Sequence, residues 1–195
     1  ELGDGLGVLS NFPISNTERV PWTNCFGGFD QSDHGAADCL AMKGFLVTTV
    51  ALDDGHTVDV YDLHGEAGGS DRDQELQAAD FEQLASYIAA NSKGRAVIVA
   101  GDTNLHTDRV HPDSAKGADI GIWERFLDVA GLTDSCAATS CTDTGRIDKV
   151  AFRSAGGVSL EAASRTVEAS RFVDAKGEDL SDHQAVSVQF RWTES

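Results

Sequence analysis

Ser181-Asp182-His183 stands directly ahead of the alternating run Gln184-Ala185-Val186-Ser187-Val188-Gln189-Phe190. Gly101-Asp102-Thr103-Asn104 follows the apolar run Ala96-Val97-Ile98-Val99-Ala100, and His64 follows Val58-Asp59-Val60-Tyr61-Asp62-Leu63. Three strand-like segments thus begin or end in carboxylate, amide or imidazole groups. Carboxylates bind Mg²⁺ and other hard cations. Imidazole changes charge near neutrality and can take a proton from water. Groups of these types at one sheet edge suit a hydrolase that holds a divalent ion and activates water.

Asp102 and Asn104 are two residues apart, so in extended chain both side chains point the same way. Gly-Asp-Thr-Asn is equally suited to a plain turn. Asp182 can hold a metal, and His183 can act as the base. A base of this kind needs an orienting partner. The candidate is Asp148, in Arg146-Ile147-Asp148-Lys149. The simpler alternatives are a strand-start turn for Asp182-His183 and an ion pair with Lys149 or Arg146 for Asp148. His64, taken alone, is more often structural, and Glu66 is either a ligand or a loop acid. His34, His56, His106 and His111 read as solvated.

These groups act together only if strands and turns deliver them to one place. Lys43–Leu52 and Thr57–Leu63 predict a hairpin across the turn Asp53-Asp54-Gly55. Leu6-Gly7-Val8-Leu9-Ser10 reads as a strand ended by Asn11-Phe12-Pro13. Residues 15–38 are rich in Gly, Asn, Asp and Ser and read as a long loop, a kind of segment that often carries function. Its Trp22, Phe26 and Phe29 would touch lipid or substrate, or, more simply, pack in the core. Ser70 is a candidate cap for a helix with Asp71 and Asp73 in its first turn. Leu76, Phe81, Leu84 and Ile88 repeat near one face of that helix. Arg95–Ala100 is a strand, Ile122–Val129 a shorter helix stopped at Gly131, and Ile147–Phe152, Ser159–Glu168 and Ala185–Trp192 are further strands. The order predicts an α+β fold of two packed, mostly antiparallel sheets flanked by helices.

The chain has 195 residues, which is enough for a single domain spanning 1–195 with a real core. Its 32 acidic and 15 basic residues give a net charge of -17. Such a field repels polyanions and disfavours a non-specific nucleic-acid binder, although bound cations invert the local potential. No apolar run approaches the roughly 18 to 20 residues of a membrane span. The one methionine is Met42, so Glu1 is expected to follow a processing or cloning cut. Cys25, Cys39, Cys136 and Cys141 lack zinc-site spacing. Their even count fits two disulfides, with local pairing preferred among three connectivities. That favours secretion, with a cytoplasmic protein bearing free thiols as the alternative.

Leu63-His64, Gly-Asp-Thr-Asn, Arg-Ile-Asp and Ser-Asp-His, in this order at strand ends, resemble the endonuclease/exonuclease/phosphatase superfamily from about Gly5 to Trp192. This is the deoxyribonuclease I-like fold of metal-dependent phosphodiesterases. The resemblance implies that His64 contacts the scissile phosphate. Asp102 and Asn104 would bind metal, phosphate or the attacking water. His183 would be the base, oriented by Asp148, and Asp182 would help hold Mg²⁺ or another divalent ion such as Mn²⁺ or Ca²⁺. The stretch Asp38-Cys39-Leu40-Ala41-Met42-Lys43-Gly44 is similar to the neutral sphingomyelinase branch, in which such an Asp–Lys pair shapes the active site. There Asp38 and Lys43 would serve substrate binding, with Lys43 neutralising a phosphate oxygen or pairing with Asp38. His64-Gly65-Glu66-Ala67-Gly68 resembles the same branch.

Two departures stand out. The family has an Asn on its first strand and a Gln-Glu pair on its second, that Glu being a metal ligand. Both would precede Gly5, and Gln74-Glu75 falls inside the expected helix. N-terminal strands are therefore expected to be missing, with another chain or a symmetry mate completing the sheet. Secreted haemolytic sphingomyelinases carry an aromatic hairpin before Ser-Asp-His, whereas here Arg171–Asp179 is charged and has one aromatic, Phe172. Membrane insertion by that route is disfavoured, and peripheral membrane contact stays open. The implied activity is phosphodiester hydrolysis, with a phospholipid as the leading substrate and nucleic acid second. A non-catalytic binding or assembly module is the third alternative.

Overall fold

The computed structural model describes residues 3–27, 38–52, 55–108 and 118–194. Phe29, His34, Asp53, Asp54 and His111 lie outside them. The elements are β1 (Ile14–Pro21), α1 (Asp38–Ala41), β2 (Gly44–Ala51), β3 (Thr57–His64), α2 (Asp71–Asn91) and β4 (Ala96–Asp102), then α3 (Ala118–Ala130), β5 (Thr133–Asp134), α4 (Ser135–Thr139), β6 (Asp148–Arg153), β7 (Val158–Val167) and β8 (Val186–Glu194). One sheet has the order β1-β2-β3-β4-β6-β5, and a second pairs β7 with β8. Among the described residues only β3 and β4 run parallel; every other pair is antiparallel.

Alternation along the strands builds two cores on opposite faces of the larger sheet. Phe45, Tyr61, Leu63, Val97, Val99 and Ala151 face the helices, meeting Phe81, Leu84 and Ile88 of α2 and Trp123 and Phe126 of α3. Val58, Ala96 and Phe152 face the other way and pack on Val158, Leu160 and Ala162 of β7. The expected sandwich is present.

Ser70 closes a capping box on α2: its side chain accepts from Asp73 N, and the Asp73 carboxylate takes Ser70 N. Two expectations at the N-terminal end are corrected. Leu6–Ser10 forms no strand, and Leu9 is fully exposed. The strand lies instead at Ile14–Pro21, inside the expected loop. As an edge strand exposed at nearly every position, β1 has no buried face to impose an apolar pattern. Trp22 is buried in the helix-side core, as expected of a packing aromatic. Both disulfides take the local pairing, Cys25–Cys39 and Cys136–Cys141. Among the described residues, no helix is long and apolar enough to cross a membrane.

Candidate active site

Strand register brings three of the expected groups side by side. In the parallel pair, His64 lies opposite Asp102, and in the antiparallel pair Asp102 lies opposite Asp148. All three occupy even positions, as do Val58, Ala96 and Phe152, so they emerge on the face that looks toward the smaller sheet. His183 arrives from that smaller sheet, three residues before β8 begins. The site is the open end of the sandwich, where the two layers meet.

Close backbone approach at two glycines permits this. A Cβ on Gly101, whose φ is 142°, would sit 2.1 Å from the Leu63 carbonyl oxygen. A Cβ on Gly65 would sit 2.7 Å from that of Thr103. With neither present, Gly65 N donates to Asp102 O at 2.8 Å, and Thr103 N to Ile147 O at 3.0 Å.

His183 Nδ1 lies 2.9 Å from Asp148 Oδ1, which makes Nδ1 the donor and leaves Nε2 a free lone pair. That Nε2 faces Asp102 Oδ2 at 3.9 Å. The hydrogen bond that His183 donates to Asp148 holds the His183 pKa above the ordinary histidine value, against partial burial. His64 Nε2 faces the same Asp102 oxygen at 3.6 Å, while its Nδ1 donates to the Asp4 carbonyl at 2.9 Å. Asn104, at φ 52°, donates its backbone N–H to Asp102 Oδ1 (2.9 Å) and its Nδ2 to Gly65 O (3.1 Å). His64, Asp102, Asn104, Asp148 and His183 thus converge. Ligand atoms of Asp102, Asp148 and His183 lie within 4.8 Å of one another.

Asp182 is exposed on the rim of a cleft of about 400 Å³, which is also lined by His106, Asp108, Arg146, Asp148 and His183. His106 therefore borders the site rather than standing apart in solvent. His56 also differs from expectation, since it packs on Trp192 with ring centroids 5.7 Å apart. Asp38 and Lys43 are buried and paired with each other. Lys43 Nζ donates to Gly65 O at 3.1 Å, the carbonyl that also takes Asn104 Nδ2. This pair reaches the site through the backbone beside His64, not through the cleft.

Three further residues support the site, of which only the Arg146 ion pair was anticipated in its role. Trp22 Nε1 donates to the His64 carbonyl at 2.8 Å. Arg146 approaches Asp148 Oδ2 at 3.6 Å and also bonds Asp143 and Gln184, so the alternative ion pair for Asp148 coexists with the histidine bond. Lys149 points to the opposite face, over Trp123, and donates to Arg146 O at 2.6 Å and Thr107 Oγ1 at 2.8 Å. Burial pushes its pKa down to about 8. Arg146 and Lys149 flank Ile147-Asp148, which was the available signal. Glu66, left open between ligand and loop acid, is fully buried. Burial, then the Asp38 carboxylate, push its pKa up to about 8.

No protein-family model matches the chain. It is 37% identical over 196 residues to the sphingomyelinase of Mycobacterium tuberculosis and that of Mycobacterium bovis. The match takes in 98% of this chain but only 37% of those curated relatives. Among solved structures, an endonuclease/exonuclease/phosphatase from Beutenbergia cavernae superposes with TM-score 0.63 at 19% identity, over 93% of this chain and 46% of that one. Sphingomyelinase C from Streptomyces griseocarneus gives TM-score 0.56 at 18% identity, over 91% and 64%. The beta toxin of Staphylococcus aureus, in a structure with bound magnesium ions, gives 0.54 at 15%, over 83% and 58%. The chain has the fold of these endonuclease/exonuclease/phosphatase-type structures and, over nearly its whole length, is similar to part of the mycobacterial sphingomyelinases.

Proposed function

We propose that this chain carries the catalytic end of a secreted, Mg²⁺-dependent phosphodiester hydrolase that acts on a phospholipid of the sphingomyelin type. The observation that carries the reading is the Asp148–His183 pair, whose free Nε2 is turned toward Asp102 and a neighbouring His64. The mycobacterial relatives support the lipid substrate, and the two disulfides support an oxidising compartment.

The donor set fits a hard divalent cation. Asp102 Oδ2 receives no hydrogen bond shorter than 3.4 Å, and Asp182 Oδ1 has Ser181 Oγ at 3.4 Å, so both carboxylates remain open to a stronger partner. Asp102 and Asp182 would hold the ion, which when bound would stabilise the charge developing on phosphate. His183 Nε2 takes the proton of the attacking water, and Asp148 fixes the ring and balances the imidazolium that results. His64 and Asn104 flank the position of the phosphate and restrict its orientation. Arg146 pins Asp148 from the side away from His183. Asp38 and Lys43 hold the Gly65 carbonyl and so the placement of His64.

The test uses the full-length protein with sphingomyelin vesicles and with plasmid DNA, each with Mg²⁺ and then with EDTA. Phosphocholine release that requires Mg²⁺ and falls about 10²-fold or more in His183→Ala is expected for a general base. A rate within a few-fold of wild type in that variant would remove His183 from the mechanism. Cleavage of DNA in preference to lipid would replace the substrate with nucleic acid. The chain's net charge of -17 weighs against that second outcome.

A further inference from the structure

Behind the His64 strand, the loop following β3 and the first turns of α2 enclose an excess of acidic groups, and burial pushes the pKa of Glu66 and of Asp80 up to about 8. Asp38, Glu66, Asp73 and Asp80 are each no more than 2% exposed, and the one ammonium among them is Lys43, at 8%. One oxygen of each carboxylate is taken by the backbone. Ala67 N donates to Asp38 Oδ2, Phe26 N to Glu66 Oε1, Ser70 N to Asp73 Oδ2 and Glu66 N to Asp80 Oδ2. Lys43 is committed to Asp38 and to the Gly65 carbonyl. Glu66 Oε2, Asp73 Oδ1 and Gln77 Oε1 are buried and receive no hydrogen bond.

The three residues meet at one segment of backbone, 66–68. Asp73 and Gln77 are one helical turn apart, which puts them on the same face of α2. Gln77 Nε2 donates to the carbonyls of Glu66 (3.0 Å) and Gly68 (3.3 Å), which fixes the amide with Oε1 turned away from them. Asp73 packs on Gly68 so closely that a Cβ there would lie 3.0 Å from Oδ1. The negative charge of Asp73 is also felt at Glu66. The group shares no residue with the Asp102–Asp148–His183 cluster.

We propose that Glu66, Asp73 and Gln77 form a second, structural cation site that takes Ca²⁺. Two carboxylates and a carboxamide are hard oxygen donors, the set that suits Ca²⁺ or Mg²⁺ and not zinc. A loop and a helix supply them without octahedral regularity, which calcium tolerates and magnesium does not. A buried water has two protons, so it serves two of the oxygens and leaves the charge excess in place. One proton shared between Glu66 and Asp73 likewise leaves Gln77 Oε1 without a partner. A cation held between the three residues would partner the open oxygens and offset the charge. Bound there, it ties the start of α2 to the loop that begins at His64.

Calcium titration of the full-length protein, followed by calorimetry and by thermal unfolding, tests this in a background carrying Asp102→Asn and His183→Ala. That background weakens any cation in the catalytic cluster. One equivalent of Ca²⁺ should still bind and raise the Tm by several degrees. Adding Glu66→Gln should weaken that binding at least tenfold and abolish the rise. The new amide can donate to Asp73 or Gln77, so the fold is expected to survive. If it does not, Gln77→Met removes one ligand at similar size and should weaken binding several-fold. Absence of Ca²⁺ binding in the catalytic background would overturn the site, as would binding unchanged by both substitutions. A Tm that responds to pH and not to calcium would show that protons fill the pocket, and would overturn it equally.

Discussion

Asp148 spends one carboxylate oxygen on His183 and offers the other to Arg146, so its charge is shared between the proposed base and a fixed cation. Its loss should be felt in rate and in pH dependence together. The bond to Asp148 raises the His183 pKa. A base works in its neutral form, so the rate rises with pH through that raised value, and the acid limb of kcat/KM lies above the usual histidine value of about 6.5. In Asp148→Asn the limb should move to lower pH, while the plateau falls about 10²- to 10⁴-fold. A full pH profile of both proteins checks this, and a limb that stays put would mean that another group titrates. The residue types at His64, Asp102, Asn104, Asp148 and His183 were legible in the sequence because each sits beside a recognisable strand or turn. The burial of Glu66 was not. An acid in a polar loop ordinarily faces water, and only the tertiary fold covers this one.

The register of β3, β4 and β6 turns scattered residues into neighbours, and it depends on glycine at position 101. Gly101→Ala would place a methyl group against the Leu63 carbonyl at a φ that L-residues rarely adopt. Backbone strain of this kind costs about 1 to 3 kcal/mol, and the clash adds to it. Urea unfolding should show the loss. Activity should fall further than stability alone accounts for, because Asp102 is the next residue. A protein as stable and as active as wild type would show that the strands separate without disturbing the site. Elements with local signals were read correctly from sequence: the β2–β3 hairpin from its β-branched alternation, and α2 from Ser70 and its apolar face. β1 was misplaced, because an exposed edge strand carries Ser15, Asn16, Thr17 and Glu18 as readily as apolar residues. Strand partners are set by contacts distant in sequence, so the pairing of His64 with Asp102 and Asp148 could be inferred only through family resemblance.

The smaller sheet leaves work undone at the scale of the whole molecule. Among the described residues, β8 pairs with β7 alone. Its Val188, Phe190 and Trp192 are only partly buried, whereas Val158, Leu160 and Ala162 of β7 are buried. An opening of about 300 Å³ lies beside it, between Asp62, Ala100, Asp102, Val150 and Val186. The catalytic cluster likewise offers two carboxylates and one imidazole, fewer oxygen donors than a hard cation takes up. The mycobacterial relatives are much longer than the stretch they share with this chain. All five observations are met if a further segment of the same protein adds strands beside β8 and brings another carboxylate to the opening. Residues 1–195 expressed alone should then bind Mg²⁺ weakly, expose apolar surface to a dye such as ANS, and hydrolyse sphingomyelin far more slowly than the full-length protein. Adding such a segment should raise metal affinity and rate together, because the same segment supplies both strand and ligand. Equal activity and equal Mg²⁺ affinity in the two proteins would mean that the cleft is complete as it stands, with water and the substrate phosphate supplying the remaining ligands.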